Sequence, residues 1–523
     1  MPGDPVTTAP RRAQRLPRTP DHGQRFVVPI GDRRKRSVSQ RFERRVKIVT
    51  TLGPATSGRD QLRDLILAGA DMVRVNAAHG SDEDRKILID DVRAASAELG
   101  LRVPILFDLR GLKIRTTSIE NADAHDTVSV ARGSKVTVVE GNVPTREGVI
   151  GIELPGLMGY LQPGSRLLIS DGLIELFVES IDETSAICSV GRGGPLHSRQ
   201  GVTLPGAPID GGSMTEVDIR DTRFAVEQGV DYLGLSFING AEDLVKARGI
   251  VQYLAQGSAP HLIAKIERPA ALENLAELTR STDAIMVARG DLGVQLPPEQ
   301  VPRAQKAIIS TANELGVPVI TATQMLESMI KQPIATRAET NDVANAVWDG
   351  TDAVMLSAET AIGEYPIEAV QTMNRIILEV EKDGPVRGTG SGKPLPRSEE
   401  AALMFADSIA RATFELAENS PTHRIIVFTL TGASARRIAK YRPRNPIIAV
   451  TTSEETATRL NLVWGVRSVM AGMHTDPDTA FRAGAKAAIE AGLANPGDYV
   501  LIVGSLPMQA RAGRTNLVHV RQI

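Results

Sequence analysis

Short apolar runs alternate with segments of helical periodicity through most of the chain from residue 46 onward. Eight of the runs read as strands: 46–52, 71–77, 103–109, 230–237, 262–267, 284–289, 318–323 and 353–357. Between most of them, segments such as 61–68, 84–98, 272–278 and 301–314 place apolar residues at helical spacing. Eight strands with intervening helices predict a closed parallel (β/α)8 TIM barrel within the α/β class. Its two pieces, 46–116 and 214–384, together approach the ~250 residues typical of that fold. Residues 117–213 interrupt it with short β-type runs (135–139, 166–169, 174–178, 185–191) and frequent Gly and Pro turns. They predict a small all-β domain inserted into a barrel loop, placed to act as a lid. A stretch rich in Gly, Pro and Ser, 383–397, precedes a helical segment, 401–416. Runs at 424–428, 446–450, 466–470 and 499–503 follow, so 385–523 reads as a C-terminal α/β domain.

Polar residues gather where the barrel runs end: Arg74, Asn76, Asp108, Lys265, Glu267, Asp291, Thr323 and Ser357. In such barrels that end carries the chemistry. Lys265 and Glu267 are two apart, so a strand turns both to one side, and Asp291 ends the next run. A cation and two carboxylates facing one spot are costly to bury unless they pair, or hold a metal and an anionic ligand.

Composition narrows the class. At 523 residues the chain is too long for one core, and 42% hydrophobic content supplies several. No apolar stretch is long enough to span a bilayer, and none near the N-terminus reads as a secretory signal. A single cysteine, Cys188, leaves no intrachain disulfide framework and fits a reducing compartment. A net charge of −2 gives no reason to expect nucleic acid as a partner. The charge is uneven: residues 1–46 hold 12 Lys/Arg against 4 Asp/Glu. Residues 1–45 therefore read as a basic, solvated and disordered tail.

Several long motifs in order carry a resemblance to pyruvate kinases. They are Ala264-Lys265-Ile266-Glu267, the run from Ile285 through Ala288-Arg289-Gly290-Asp291 to Gly293, residues 321–330, Thr336-Arg337-Ala338-Glu339 and residues 342–347. Earlier, residues 48–55 and Arg74-Val75-Asn76 followed by His79-Gly80 fit the same pattern. The resemblance implies the architecture above and transfer of a phosphoryl group from phosphoenolpyruvate to ADP, giving pyruvate and ATP. It implies Glu267 and Asp291 as ligands of Mg²⁺, with Mn²⁺ as an alternative, and hard carboxylate oxygens suit such ions. Lys265 is implied beside the transferring phosphoryl and the enolate oxygen, with Arg74 on phosphate. Gly290, Asp291 and Thr323 are implied at the substrate carboxylate. Thr323 and Ser357 are implied in the hydroxyl relay that protonates the methylene carbon. Asn76, His79 and Arg115 fall on the nucleotide side. Thr429, Thr431, Gly432 and Ser434 match a loop that binds a phosphorylated effector. A homotetramer in the cytoplasm, with no membrane partner, is also implied.

The chain departs from the family where many members hold a monovalent cation. Ala78 replaces a usual serine, Leu109 a threonine and Lys113 a glutamate. The exchange at 113 predicts that the Lys113 ammonium, with Asn76 and Asp108, does the cation's electrostatic work, so that K⁺ is not required. Other departures are Val217 and Ile362 for lysines, Asn239 for arginine, Ala358 for glycine and Arg110 for lysine. Lost cations near ADP predict weaker nucleotide contacts. They also leave open a catalytically weak, metabolite-binding relative. A different Mg²⁺-dependent enolate barrel, such as an aldolase or lyase, fits less well, because it explains neither the inserted domain nor the 321–330 run.

Overall fold

The computed structural model describes residues 44–121, 126–207, 214–388, 392–394, 401–472, 474–507 and 514–523. The basic tail expected over 1–45 lies outside these, apart from Arg44 and Arg45. Eight parallel strands close the barrel predicted from the apolar pattern: β1 (Lys47–Thr51), β2 (Met72–Asn76), β3 (Ile105–Asp108), β4 (Tyr232–Leu235), β5 (His261–Ile266), β6 (Ala284–Ala288), β7 (Val319–Ala322) and β8 (Ala353–Leu356). Each pairs with its sequence neighbours, and β1 with β8 closes the ring. Most strands stop a residue or two short of the apolar runs, because the polar residues at their exits turn into loops.

Side-chain alternation divides the core in two. Val49, Met72, Leu106, Ile263, Met286, Ile320 and Met355 point inward and pack one another. Ile48, Val73, Phe107, Ile285 and Val354 point outward against the helices. Leu462, from the C-terminal domain, joins the inner cluster and plugs the barrel's N-terminal end. That floor repeats one device. Asp71, Asp231, Asp283 and Asp352 immediately precede β2, β4, β6 and β8. Each donates its own N–H to a carbonyl on the preceding strand, at Ile48, Ile105, Leu262 and Val319. Each carboxylate then accepts that same residue's N–H, at 3.0, 2.8, 2.9 and 3.0 Å.

Residues between β3 and β4 form a separate β domain with its own core, including Val138, Ile152, Ile169, Leu176 and Cys188. It contains all four expected runs and four further strands the pattern did not reveal: Thr127–Val130, Val149–Ile152, Gly194–His197 and Val202–Thr203. The C-terminal sheet runs 466–470, 447–451, 424–428, 499–504, with an antiparallel edge strand, Leu517–Gln522. It docks on the barrel floor through Arg442, whose guanidinium meets Asp352 at 3.1 Å and the Asn313 amide oxygen at 2.8 Å. Lys47 Nζ donates to the Val466 carbonyl at 2.8 Å in the same interface. No helix among the described residues is long and apolar enough to cross a membrane.

Candidate active site

At the strand exits the inward-facing residues become charged. Lys265, on β5, is 9% exposed, and Glu267 and Asp108 are each 1% exposed. Lys265 Nζ lies 2.9 Å from Glu267 Oε1 and 3.4 Å from Asp108 Oδ1, and donates to Ser236 Oγ at 2.8 Å. Ser236 in turn donates to the Leu109 carbonyl at 2.9 Å, fixing the cradle. Room for the Asp108 carboxylate exists because residue 234 is glycine: a Cβ there would sit 2.6 Å from Asp108 Oδ1. Arg74 completes the chain, meeting Asp108 Oδ2 at 2.6–2.7 Å and Thr51 Oγ1 at 3.2 Å.

Burial penalises each of these charges, and the pairing decides the result. Desolvation pushes the Lys265 ammonium down, but Asp108 and Glu267 outweigh it and hold its pKa above the ordinary value. Asp108 is pushed up by burial and brought back below its usual value by Lys265 and Arg74. Glu267 stays raised, because burial, with Asp291 nearby, exceeds the help from Lys265. Its Oε2 accepts the Phe237 N–H at 2.7 Å. Glu267 Oε1 and Asp108 Oδ1 are buried, and each meets the Lys265 ammonium but no well-aligned hydrogen-bond donor. Buried oxygens are rarely left so. Two cations against three carboxylates, with open oxygens, fit a divalent cation held by Glu267 and Asp291.

Asp291 follows β6 in the short helix Arg289–Gln295. Gly290 N–H donates to Thr323 Oγ1 at 2.9 Å. Thr323 and Gln324, just after β7, have φ of 69° and 53°, a strained setting for a β-branched residue. Arg289 clamps this turn through the Ala322 and Thr323 carbonyls and reaches Asp342 at 2.8 Å. Beyond β8, the Ser357 hydroxyl is buried without a partner. Glu359, 2% exposed, accepts the Ser357 N–H at 2.7 Å and the Leu326 N–H at 3.1 Å, tying the two hydroxyl-bearing loops together. Sequence reasoning missed Arg289, Ser236 and Glu359 as positioning residues. The signal was the placement of Arg289 and Glu359 one to three residues beyond a strand exit.

Two clefts open on this charge chain. A cleft of about 640 Å³ is lined by Arg74, Asn76, His79 and Ser357, with Ile362 on its wall. A second, of about 610 Å³, is lined by Lys113, Asp291, Gly290 and Arg289, with Asp171 from the inserted domain. The structure thus brings Lys265, Glu267, Asp108 and Arg74 together, and joins Thr323 to Gly290. No contact joins Lys113 to Asn76 or Asp108: Lys113 is exposed, Asn76 Oδ1 accepts the Ala78 N–H, and Arg74 and Lys265 face Asp108. Arg115 sits at the base of the inserted domain, donating to the Arg199 carbonyl at 3.0 Å. Arg110 meets Asp221 at 3.0 Å, and Asn239 accepts from Arg268 at 3.2 Å. In the C-terminal domain Gly432 has φ 79° and caps the helix Ala433–Lys440, and Ser434 Oγ pairs with Thr515 Oγ1 at 2.6 Å.

A (β/α)8 barrel with a β domain over a lysine–carboxylate cluster defines an enzyme built to steady charge on an anionic substrate. Residues 43–370 match the family described as pyruvate kinase, barrel domain, and residues 407–521 match pyruvate kinase, alpha/beta domain. A pyruvate kinase of Agrobacterium vitis is 42% identical over 490 residues, covering 92% of this chain and 98% of that protein. One from Geobacillus stearothermophilus is 39% identical over 486 residues, covering 92% and 81%. The crystal structure of a pyruvate kinase from Cryptosporidium parvum superposes with a TM-score of 0.84 at 31% identity, over 92% of this chain and 97% of that one. The chain belongs to the pyruvate kinase family.

Proposed function

We propose that this kinase transfers the phosphoryl group of phosphoenolpyruvate to ADP, giving pyruvate and ATP in the last step of glycolysis. The observation that carries the reading is the buried Lys265 ammonium, shared between one oxygen of Glu267 and one of Asp108 that meet no other donor. In the reaction the bond from phosphorus to the enol oxygen breaks and a bond to the terminal ADP oxygen forms. The enolate left behind takes a proton at its methylene carbon. Lys265 stabilises the growing negative charge on the enol oxygen, and Arg74 faces the phosphoryl oxygens. Glu267 and Asp291 would hold Mg²⁺, or Mn²⁺, which would supply charge neutralisation on the substrate oxygens. The helix start at Gly290–Asp291 and Thr323, whose Oγ1 accepts the Gly290 N–H, orient the substrate carboxylate, and Thr323 and Ser357 hydroxyls pass the proton. Asn76, His79 and Arg115 lie on the ADP side. A coupled assay with phosphoenolpyruvate, ADP and Mg²⁺ tests this: Lys265→Met abolishes turnover, and activity equal to wild type would refute it.

Full activity without K⁺ belongs to the same proposal. Ala78 and Leu109 carry no side-chain oxygen, Asn76 Oδ1 accepts the Ala78 N–H, and Arg74 holds Asp108 Oδ2. Lys113 meanwhile places an ammonium on the wall of the cleft that Asp291 also lines. Assays in sodium or tetramethylammonium salts give the wild-type rate, whereas strong activation by K⁺ sinks the idea. A cytoplasmic homotetramer, and a phosphorylated effector on Thr429, Thr431, Gly432 and Ser434, complete the proposal. Sedimentation of the full chain and the response of Ser434→Ala to sugar phosphates test them.

A further inference from the structure

A third cavity, of about 620 Å³, lies at the opposite end of the barrel, between its floor and the C-terminal domain. Thr282 and Asp283, at the entry to β6, and Gly316 form the barrel wall, and the helix Ala433–Lys440 supplies Arg436, Arg437 and Lys440. Arg280 stands at its rim, exposed. Four cations and two carboxylates line it, and both carboxylates are already engaged. Asp283 meets Arg248 at 3.0 Å and the Leu262 N–H at 2.9 Å. Asp407 meets Lys440 at 3.1 Å and the Tyr441 hydroxyl at 2.9 Å. Glu314, the other acid whose charge reaches Lys440, pairs with Lys393 at 3.6 Å.

Three guanidinium groups are left over. Among the described residues Arg280, Arg436 and Arg437 have no carboxylate within ion-pair distance, and Arg436 makes only a 3.5 Å contact with the Thr431 carbonyl. Arg437 Nη1 is buried and has no hydrogen-bond partner at all. A half-buried cation beside another cation, with one buried donor unmet, is costly unless an anion completes it. Burial and the Arg436 charge both push the Arg437 guanidinium below its ordinary value, and Asp407 only partly offsets them.

We infer that this cavity is a binding site for a phosphate-bearing small molecule, with Arg436 and Arg437 as its fork and Arg280 at its mouth. Guanidinium geometry matches phosphate oxygens, and the volume admits a sugar or nucleoside attached to the phosphate. The site is separate from the Thr429–Ser434 hydroxyls, since Ser434 Oγ is turned to Thr515. It does not depend on the catalytic reading. An occupant bridges the C-terminal domain to the start of β6, the strand whose far end leads to Asp291.

Isothermal titration of the full chain with inorganic phosphate, free of divalent metal, tests the inference. Arg437→Gln is expected to weaken binding by about tenfold or more, the loss of one charged hydrogen bond. Arg280→Gln, at an exposed position that leaves folding intact, weakens it by about threefold. Ser434→Ala, in the separate Thr429–Ser434 loop, keeps the wild-type affinity for this cavity. Unchanged affinity in both arginine variants overturns the inference, as does a loss confined to Ser434→Ala.

Discussion

At the strand entries Asp71, Asp231, Asp283 and Asp352 each satisfy the backbone of a neighbouring strand. At the strand exits Asp108 and Glu267 each keep a buried oxygen that meets the Lys265 ammonium and no other donor. Both sets bury negative charge within one barrel. On the floor each carboxylate is taken by a backbone N–H, and three of the four also meet an arginine. The exit face leaves lone pairs open and places a cation beside them, which costs stability and supplies a binding site. Saturation, more than burial, separates the structural carboxylates from the functional ones.

The sharpest test of that contrast is Lys265→Met. Losing one preorganised charge at the reacting oxygen should lower kcat by about 10³-fold or more, read in the coupled assay on folded protein. Asp352→Ala should do the reverse. Removing the Arg442 partner leaves a buried cation, so stability falls by about 3–5 kcal/mol in denaturant unfolding, while kcat of the folded fraction stays within about twofold of wild type. A large kcat loss there, with stability intact, would erase the distinction between the two ends. Glu359→Gln is intermediate. It weakens the tie between the Ser357 and Leu326 N–H groups, so kcat should fall by about tenfold with little change in KM, and Glu359→Asp should recover part of it.

The smallest effect concerns Asp231. Burial raises its carboxyl to about 6, above its unfolded value, so protonation favours the folded state. That contribution is complete below about pH 4 and is lost as pH rises through about 6. His261, pushed down by burial, acts in the opposite sense: its contribution is present above its unfolded pKa and is lost as pH falls. Comparison with Asp231→Asn isolates the carboxyl, because the histidine term is common to both proteins. Relative to that variant, wild type should lose about 1 kcal/mol between pH 4 and 7, after allowance for partial exposure. A flat difference across that range would remove the raised carboxyl from the floor.

Much of this was readable along the chain, and the reason is locality. Strand pleating puts residues two apart on one side, so Lys265 and Glu267 announce a shared site without any knowledge of the fold. Eight apolar runs with helical spacers were enough for the barrel, and the polar residues at their ends marked its working face. The inserted domain was harder to read. Its strands at 127–130, 149–152, 194–197 and 202–203 are short and lack a continuous apolar run like Leu167-Leu168-Ile169, so they did not register. The aspartates before β2, β4, β6 and β8 passed unnoticed, since an acidic residue after a turn looks like ordinary loop chemistry.

Tertiary structure alone decided the rest. Asp108 reaches Lys265 because β3 and β5 flank β4 in a closed ring, and Gly234 leaves the carboxylate its space. Whether an oxygen is saturated or open depends on groups brought from far along the chain, as with the arginines stranded beneath the floor. Sequence determined which residues could be charged and on which side they would lie. Folding determined which charges met a partner, because burial and hydrogen-bond geometry are set by distant segments.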